Sequence, residues 1–302
     1  MEGSEGSSAE AKVSDATPRI LPPLLAGAVS GAVAKTVIAP LDRTKINFQV
    51  SRTKRYSFKA ALRFVRTTYK TEGFCALFRG NSATLARVVP YAAIQFATHE
   101  RYKHLLQVDC NGTRTPGRRY LAGSLAALTA TVLTYPLDTA KARLSVSQKS
   151  QFSGVSDVFI KAYREGAALS LYRGMWPTLA GVIPYAGSSF YTFETLKLFY
   201  KEETGKDVNA GYRLLFGALA GLVGQTTSYP LDIVRRRLQT GRVPEGQSLL
   251  VTLYEIGRNE GVVRGLYKGL SMNWIKGPIA VGVSFSCYDS LRPFFKSFSF
   301  LP

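Results

Sequence analysis

The tripeptide Pro-Leu-Asp occurs three times, at Pro40–Asp42, Pro136–Asp138 and Pro230–Asp232, in steps of 96 and 94 residues. Three residues after each aspartate stands a cation: Lys45, Lys141 and Arg235. A second motif follows in every copy: Glu72-Gly73 leads to Phe78-Arg79-Gly80, Glu165-Gly166 to Tyr172-Arg173-Gly174, and Glu260-Gly261 to Tyr267-Lys268-Gly269. Twenty residues beyond each closing glycine comes an acid (Glu100, Glu194, Asp289), and three further on a base (Lys103, Lys197, Arg292). Three motifs in fixed order, in register through three copies, define a triplicated unit. We place the repeats at 20–108, 116–203 and 209–298. Residues 1–19, rich in Ser, Gly and acidic residues, read as a disordered tail. This tail resembles neither an apolar signal peptide nor an Arg-rich transit peptide, so targeting information is expected inside the chain.

Each repeat carries two long apolar stretches. Leu24 to Leu41 holds Lys35 as its single formal charge, while Tyr120 to Leu137 and Leu214 to Leu231 hold none. Second stretches begin near Ser82, Met175 and Leu270. These lengths approach a membrane span, giving six spans. The segment between the two spans of a repeat is polar with helical spacing, as in Phe58, Leu62 and Val65, and is expected to lie along a membrane surface. Small residues four apart, Gly27 with Gly31, Gly123 with Ala127 and Gly217 with Gly221, allow close helix approach. Pro40, Pro136 and Pro230 fall inside helical patterns and are expected to bend them. The motif charges of neighbouring repeats would then meet, and we expect Asp42 to pair with Lys141, Asp138 with Arg235, and Asp232 with Lys45. Unpaired charges at membrane depth are costly.

A net charge of +19 implies an anionic partner. A nucleic-acid-binding surface would cluster its bases among exposed aromatics, whereas here they flank apolar spans. Cys75, Cys110 and Cys287 form neither a zinc spacing nor an even disulfide set, and His99 and His104 stand near no catalytic motif. Neither an enzyme nor a resident metal or cofactor is expected.

The triplicated PxDxxK/R, Glu-Gly and aromatic-basic-Gly pattern resembles the mitochondrial carrier family over about residues 20–298. The resemblance implies an all-α membrane protein of the inner mitochondrial membrane: six transmembrane helices in a threefold pseudo-symmetric bundle, with three short matrix helices. It further implies a matrix-side gate from Asp42, Lys45, Asp138, Lys141, Asp232 and Arg235. A cytoplasmic gate would pair Glu100 with Lys197, Glu194 with Arg292, and Asp289 with Lys103. His99 departs from the aromatic that precedes the other two acids, Phe193 and Tyr288. Gly80, Gly174 and Gly269 open the second helices, where free amides favour phosphate, and the resemblance makes cardiolipin the expected ligand.

An asymmetric solute must be recognised where the repeats differ. Seven residues after each closing glycine stand Arg87, Gly181 and Lys276; five before each motif proline stand Lys35, Thr131 and Gln225. This pattern describes a lopsided basic cavity with room beside Gly181 for a flat group. By resemblance Arg87, Gly181-Val182 and Lys276 are substrate contact points, with Gly181-Val182 of the adenine-nucleotide type, and Lys35 matches a basic residue of nucleotide carriers. Tyr185 would stack on a base or serve packing, and Asn273 would add a polar contact. The third motif continues Arg235-Arg236-Arg237-Leu238-Gln239, unlike a plain ADP/ATP exchanger, and no calcium-loop run precedes the repeats. The segments APLDRTKINFQV, FRGNSATLARVVPYAAIQF and GLYKGLSMNWIKGPIAVGVSF resemble family carriers of coenzyme A. That implies alternating-access exchange of coenzyme A for adenine nucleotides such as ADP or adenosine 3′,5′-diphosphate, by a monomer. Lys35, Arg87, Lys276, Arg235 and Arg236 would meet the phosphates. The alternative is a carrier of another adenine-containing solute: ADP/ATP, ATP-magnesium/phosphate, or a peroxisomal cofactor.

Overall fold

The structure, a computed structural model, describes residues 21–53, 56–108, 115–148, 150–165, 167–244 and 246–297. The expected tail at 1–19 and Cys110 lie outside the described residues. Six long helices alternate with three short ones: α1 Leu21–Val50, α2 Phe58–Glu72, α3 Asn81–Leu105, α4 Pro116–Val146, α5 Val155–Arg164, α6 Met175–Thr204, α7 Ala210–Gln239, α8 Leu249–Glu260 and α9 Leu270–Ser297. A short helical turn precedes each of α3, α6 and α9, at Phe74–Phe78, Ala168–Tyr172 and Val262–Leu266. Among the described residues there is no strand. Every repeat thus reads long helix, short helix, turn, long helix. On composition alone, one helix stretch, Gly117–Val146, is long and apolar enough to cross a membrane, at a mean hydropathy of 1.3. In α6 and α7 the charge-free stretches 175–193 and 214–231 are diluted by Gly, Pro, Ser, Thr and Tyr, which lower this figure.

Two compact units arise: Pro40–Trp274, and the first part of α1 with the body of α9 from Ile275 onward. The larger contains every element from α2 to α8. In it α3 packs along α4 and α6 along α7, joining successive repeats, whereas α4 and α6 of one repeat meet at few places.

The short helices are tied beneath the motif ends of the long ones. Ser57 sits in extended conformation before α2 and accepts from the Ala60 amide at 3.1 Å, an N-cap that fixes where the helix starts. In the second repeat Val158 and Ala162 of α5 are buried against Ala140 and Leu144, and in the third Ile256 of α8 packs on Tyr229, Ile233 and Val234. Phe58 and Leu62 of α2 stay 69% and 64% exposed, an apolar stripe suited to the membrane surface. The Glu-Gly motif has a bonding reason as well. Glu72 binds Arg43 at 2.9 Å, and Glu260 binds both terminal nitrogens of Arg237, one of them at 2.7 Å.

The aromatic-basic-Gly motif makes the joints between repeats. Arg79 Nε donates to Leu144 O at 3.0 Å, Arg173 Nη2 to Val243 O at 2.7 Å, and Lys268 Nζ to Ser51 O at 2.7 Å. Each cation therefore reaches a carbonyl of the next repeat at or beyond the carboxyl end of its first long helix: Leu144 in the last turn of α4, Ser51 directly after α1, and Val243 in the loop after α7. At the first two, unpaired carbonyls and the helix dipole favour positive charge. Burial lowers the basicity of Arg79, with Arg43 adding to the effect, and likewise that of Lys268. The glycines beside these cations have positive φ, +90° at Gly80, +83° at Gly174 and +83° at Gly269. A Cβ on Gly174 would stand 2.9 Å from Arg235 O, and one on Gly80 would stand 3.0 Å from Lys141 O. We expect Gly174→Ala to cost about 2 kcal/mol, since a left-handed residue with a Cβ loses roughly 1–2 kcal/mol before any clash. Thermal unfolding in detergent should shift down by about 4 °C or more; an unchanged midpoint would show the joint to be looser than described.

Candidate transport site

Asp42, Lys45 and Asp138 are nearly buried, at 9%, 8% and 5% exposure. Lys141 Nζ lies 2.8 Å from Asp42 Oδ2, and Arg235 Nη2 lies 2.8 Å from Asp138 Oδ2. Lys45 Nζ lies 3.8 Å from Asp232 Oδ2. The three contacts join repeats one to two, two to three and three to one. Buried pairs of this kind are hard to break one partner at a time, because each break leaves an uncompensated charge.

Two members have additional partners. Arg87, on α3, places Nη1 2.8 Å from Asp138 Oδ1 and donates from Nε to Thr134 at 3.1 Å. Asp138 is thus held by two guanidinium groups at once. The Arg87 group also lies over the Tyr91 ring, 5.0 Å from its centroid. Lys45 Nζ donates to Asn273 Oδ1 at 2.9 Å, and Asn273 donates in turn to Gln225 at 2.8 Å. Sharing with Asn273 accounts for the longer Lys45–Asp232 contact. Two residues read from sequence as substrate contacts, Arg87 and Asn273, therefore touch the motif charges directly.

Other expectations are corrected. Arg235, Arg236 and Arg237 are not an open basic cluster. Arg235 binds Asp138, Arg236 binds Gln239 at 2.9 Å, and Arg237, 2% exposed, binds Glu260 and Gln49 O. Gly181 lies beside α7: a Cβ there would meet Leu231 at 3.7 Å, an ordinary contact distance. Its neighbours Val182 and Tyr185 are exposed. The expected cross-repeat pair of Glu100 with Lys197 does not form. Glu100 binds Lys103 at 2.9 Å and Glu194 binds Lys197 at 3.4 Å, each within its own helix, with Glu100 and Lys197 exposed and Lys103 and Glu194 half-buried. Such pairs contribute at most about 1 kcal/mol. Asp289, Lys35 and Lys276 belong to the second unit, where Lys35 is exposed and Lys276 half-buried. The Arg292 side chain lies outside the described residues.

The sequence reading missed a layer of tyrosines and glutamines around the ion pairs. Gln49 Nε2 donates to Tyr229 OH at 3.2 Å and Gln239 Nε2 to Tyr135 OH at 3.0 Å, with both glutamines wholly buried. Tyr135 and Tyr229 stack on Tyr172 and Tyr267, with centroids 6.2 Å and 6.3 Å apart. The signal was available in the repeat frame: glutamine stands four residues after the motif cation in the first and third repeats, and tyrosine directly before the proline in the second and third. The network keeps two loose ends, for Gln49 Oε1 and Arg235 Nε are buried without a hydrogen-bond partner.

A cavity of about 1400 Å³ opens beside Arg87 and Arg235 and runs between α4 and α6. Long helices in a threefold set, tied by buried inter-repeat ion pairs next to a cavity edged with guanidinium, define a membrane solute carrier. The chain belongs to the mitochondrial carrier family, whose profile, described as mitochondrial carrier protein, matches residues 17–109, 112–204 and 206–299. It is accordingly a transporter, spanning the mitochondrial inner membrane several times. Among curated relatives, a mitochondrial coenzyme A transporter of Xenopus tropicalis is 56% identical over 276 residues, covering 89% of this chain and 84% of the relative. A mitochondrial coenzyme A transporter of Homo sapiens is 54% identical over 281 residues, covering 91% and 88%. Solute carrier family 25 member 16 of Mus musculus is 38% identical over 291 residues, covering 90% and 87%.

Proposed function

We propose that this carrier exchanges coenzyme A for adenine nucleotides such as ADP or adenosine 3′,5′-diphosphate, by alternating access. The relatives named as coenzyme A transporters support the substrate. The observation that carries the mechanism is the double hold on Asp138, by Arg87 and Arg235. A substrate phosphate arriving at Arg87 competes with Asp138 for the same guanidinium. When Arg87 turns to the phosphate, Asp138 keeps one cation instead of two, and the tie that Arg87 makes between the first and second repeats is released. A substrate amide or hydroxyl engaging Asn273 would act similarly on Lys45. Substrate can shift a two-state equilibrium only by its differential affinity for the two states. Contacts shared between substrate and ion pairs supply such a difference.

In this reading Asp42, Lys45, Asp138, Lys141, Asp232 and Arg235 form the matrix gate. Lys35, Arg87, Gly181, Val182, Tyr185, Asn273 and Lys276 contact substrate. The cytoplasmic gate forms when Glu100 and Glu194 leave Lys103 and Lys197 and the pairs Glu100–Lys197, Glu194–Arg292 and Asp289–Lys103 are made. Cardiolipin binds as a structural lipid through backbone amides at Gly80, Gly174 and Gly269, because the neighbouring cations already serve carbonyls. The protein acts as a monomer. Purified protein in liposomes loaded with ADP is expected to take up labelled coenzyme A and to release ADP in exchange. Exchange of ADP for ATP without coenzyme A uptake would overturn the assignment in favour of a plain nucleotide carrier.

A further inference from the structure

The cavity beside Arg87 extends well beyond the ion pairs. Its volume of about 1400 Å³ exceeds the roughly 300–1,000 Å³ of ordinary small-molecule pockets. Arg87, Tyr91 and Arg235 mark one end. From there it follows the cleft between α4 and α6, past Thr131 and Ser124 on one side and Ile183 and Gly187 on the other. The cleft has a structural origin: α4 packs on α3 and α6 on α7, so the two long helices of the second repeat are left apart. From Thr131 to Tyr120 it runs roughly 16 Å along α4, at 1.5 Å per residue. The wall is mostly apolar, with the hydroxyls of Ser124 and Thr131 spaced along it.

Resting on the coenzyme A reading above, we propose that this cleft is the binding site for the pantetheine arm of the substrate. The arm fits in charge, length and polarity. It leaves the diphosphate as an uncharged chain, matching a cavity that is cationic at one end and apolar beyond. Its backbone of about a dozen bonds equals roughly four extended residues, or about 14 Å. Its dimethyl group and methylenes suit apolar walls, and its two amides and hydroxyl suit a few hydroxyls placed along them. With the phosphates at Arg87, the arm lies between α4 and α6 and the thiol points towards the Tyr120 end. The second repeat would then distinguish coenzyme A from nucleotides that share its phosphates but lack the arm.

The test fills the cleft without touching the charged end. A Cβ on Gly187 meets nothing within 4 Å, so Gly187→Leu adds bulk without a backbone clash and with better helix propensity. Ser124→Leu narrows the cleft from the α4 side. In reconstituted full-length protein each variant should raise KM for coenzyme A roughly tenfold or more, the scale of a steric mismatch in an apolar pocket. KM for ADP and for adenosine 3′,5′-diphosphate should stay within about twofold of the parent in the same assays. Equal changes for coenzyme A and the armless nucleotides, or no change for either, would overturn the cleft assignment. Equal changes that follow cardiolipin content would assign the cleft to a lipid chain instead. Failure of the parent protein to carry coenzyme A at all would fall on the substrate reading, and parental assays separate that outcome from the others.

Discussion

Replacing Asp138 by asparagine is expected to reduce coenzyme A uptake into ADP-loaded liposomes at least 30-fold while leaving a folded protein in detergent. Asp138 holds two guanidinium groups, each at 2.8 Å, from Arg87 and Arg235. Loss of its charge leaves two cations facing one another in a nearly buried place. Removing one partner of a buried pair costs about 3–5 kcal/mol, and every 1.4 kcal/mol changes a population tenfold. The paired state would therefore be depleted a hundredfold or more, and the exchange cycle needs that state to be populated. The double hold also predicts how a charge swap behaves. Asp138→Arg combined with Arg235→Asp restores the pair between repeats two and three, yet sets the new arginine against Arg87. The swap should stay below about a tenth of parental transport. Parental uptake by Asp138→Asn, or full rescue by the swap, would show that Asp138 is not the shared anchor.

The second large effect is expected at Arg87. Arg87→Ala removes the phosphate partner and the second cation on Asp138 together. A charge-assisted contact of this kind is worth several kcal/mol when its partner is buried, so coenzyme A uptake should fall at least 30-fold. Arg87→Lys keeps the charge but loses the planar fork that spans Asp138 and Thr134, and should fall in between. The reading is distinguished from a purely structural one by substrate-induced thermal stabilisation. If Arg87 meets the phosphate, coenzyme A and ADP lose most of their stabilising shift in Arg87→Ala. A full shift in that variant would confine Arg87 to bracing Asp138.

The parts of this molecule that were legible in the sequence are those set by the repeat. Three helix pairs and three short surface helices follow from motif order and apolar length. The inter-repeat contacts of Asp42, Asp138 and Asp232 follow from closing the repeats on one another, with no knowledge of side-chain geometry. What stayed hidden depends on pairwise distances that no spacing encodes. Counting placed Arg87 at a position for substrate, but not its second tie to Asp138, which arises because α3 packs along α4. Gly181 reads in the sequence as an absence of side chain; that it stands beside Leu231 of α7 is a contact between repeats that spacing does not encode. Arg79, Arg173 and Lys268 were read only as part of the motif that opens the second helices. They are directed at carbonyls of the neighbouring repeat, a partner that spacing within one repeat does not encode. Glu100 and Glu194 pair with Lys103 and Lys197 three residues on in their own helices, a choice of partner that the repeat pattern leaves open.

The joints made by these three cations have a further meaning for the number of repeats. In a linear array each unit contacts its neighbours, and the first and last need polar caps to close the exposed ends. Here Arg79 reaches the second repeat, Arg173 the third, and Lys268 returns to Ser51 in the first. The series of joints has no first or last member: each of the three cations has a carbonyl in another repeat. Three is then the size at which this unit is complete, and duplication alone would leave one donor and one helix end unmatched.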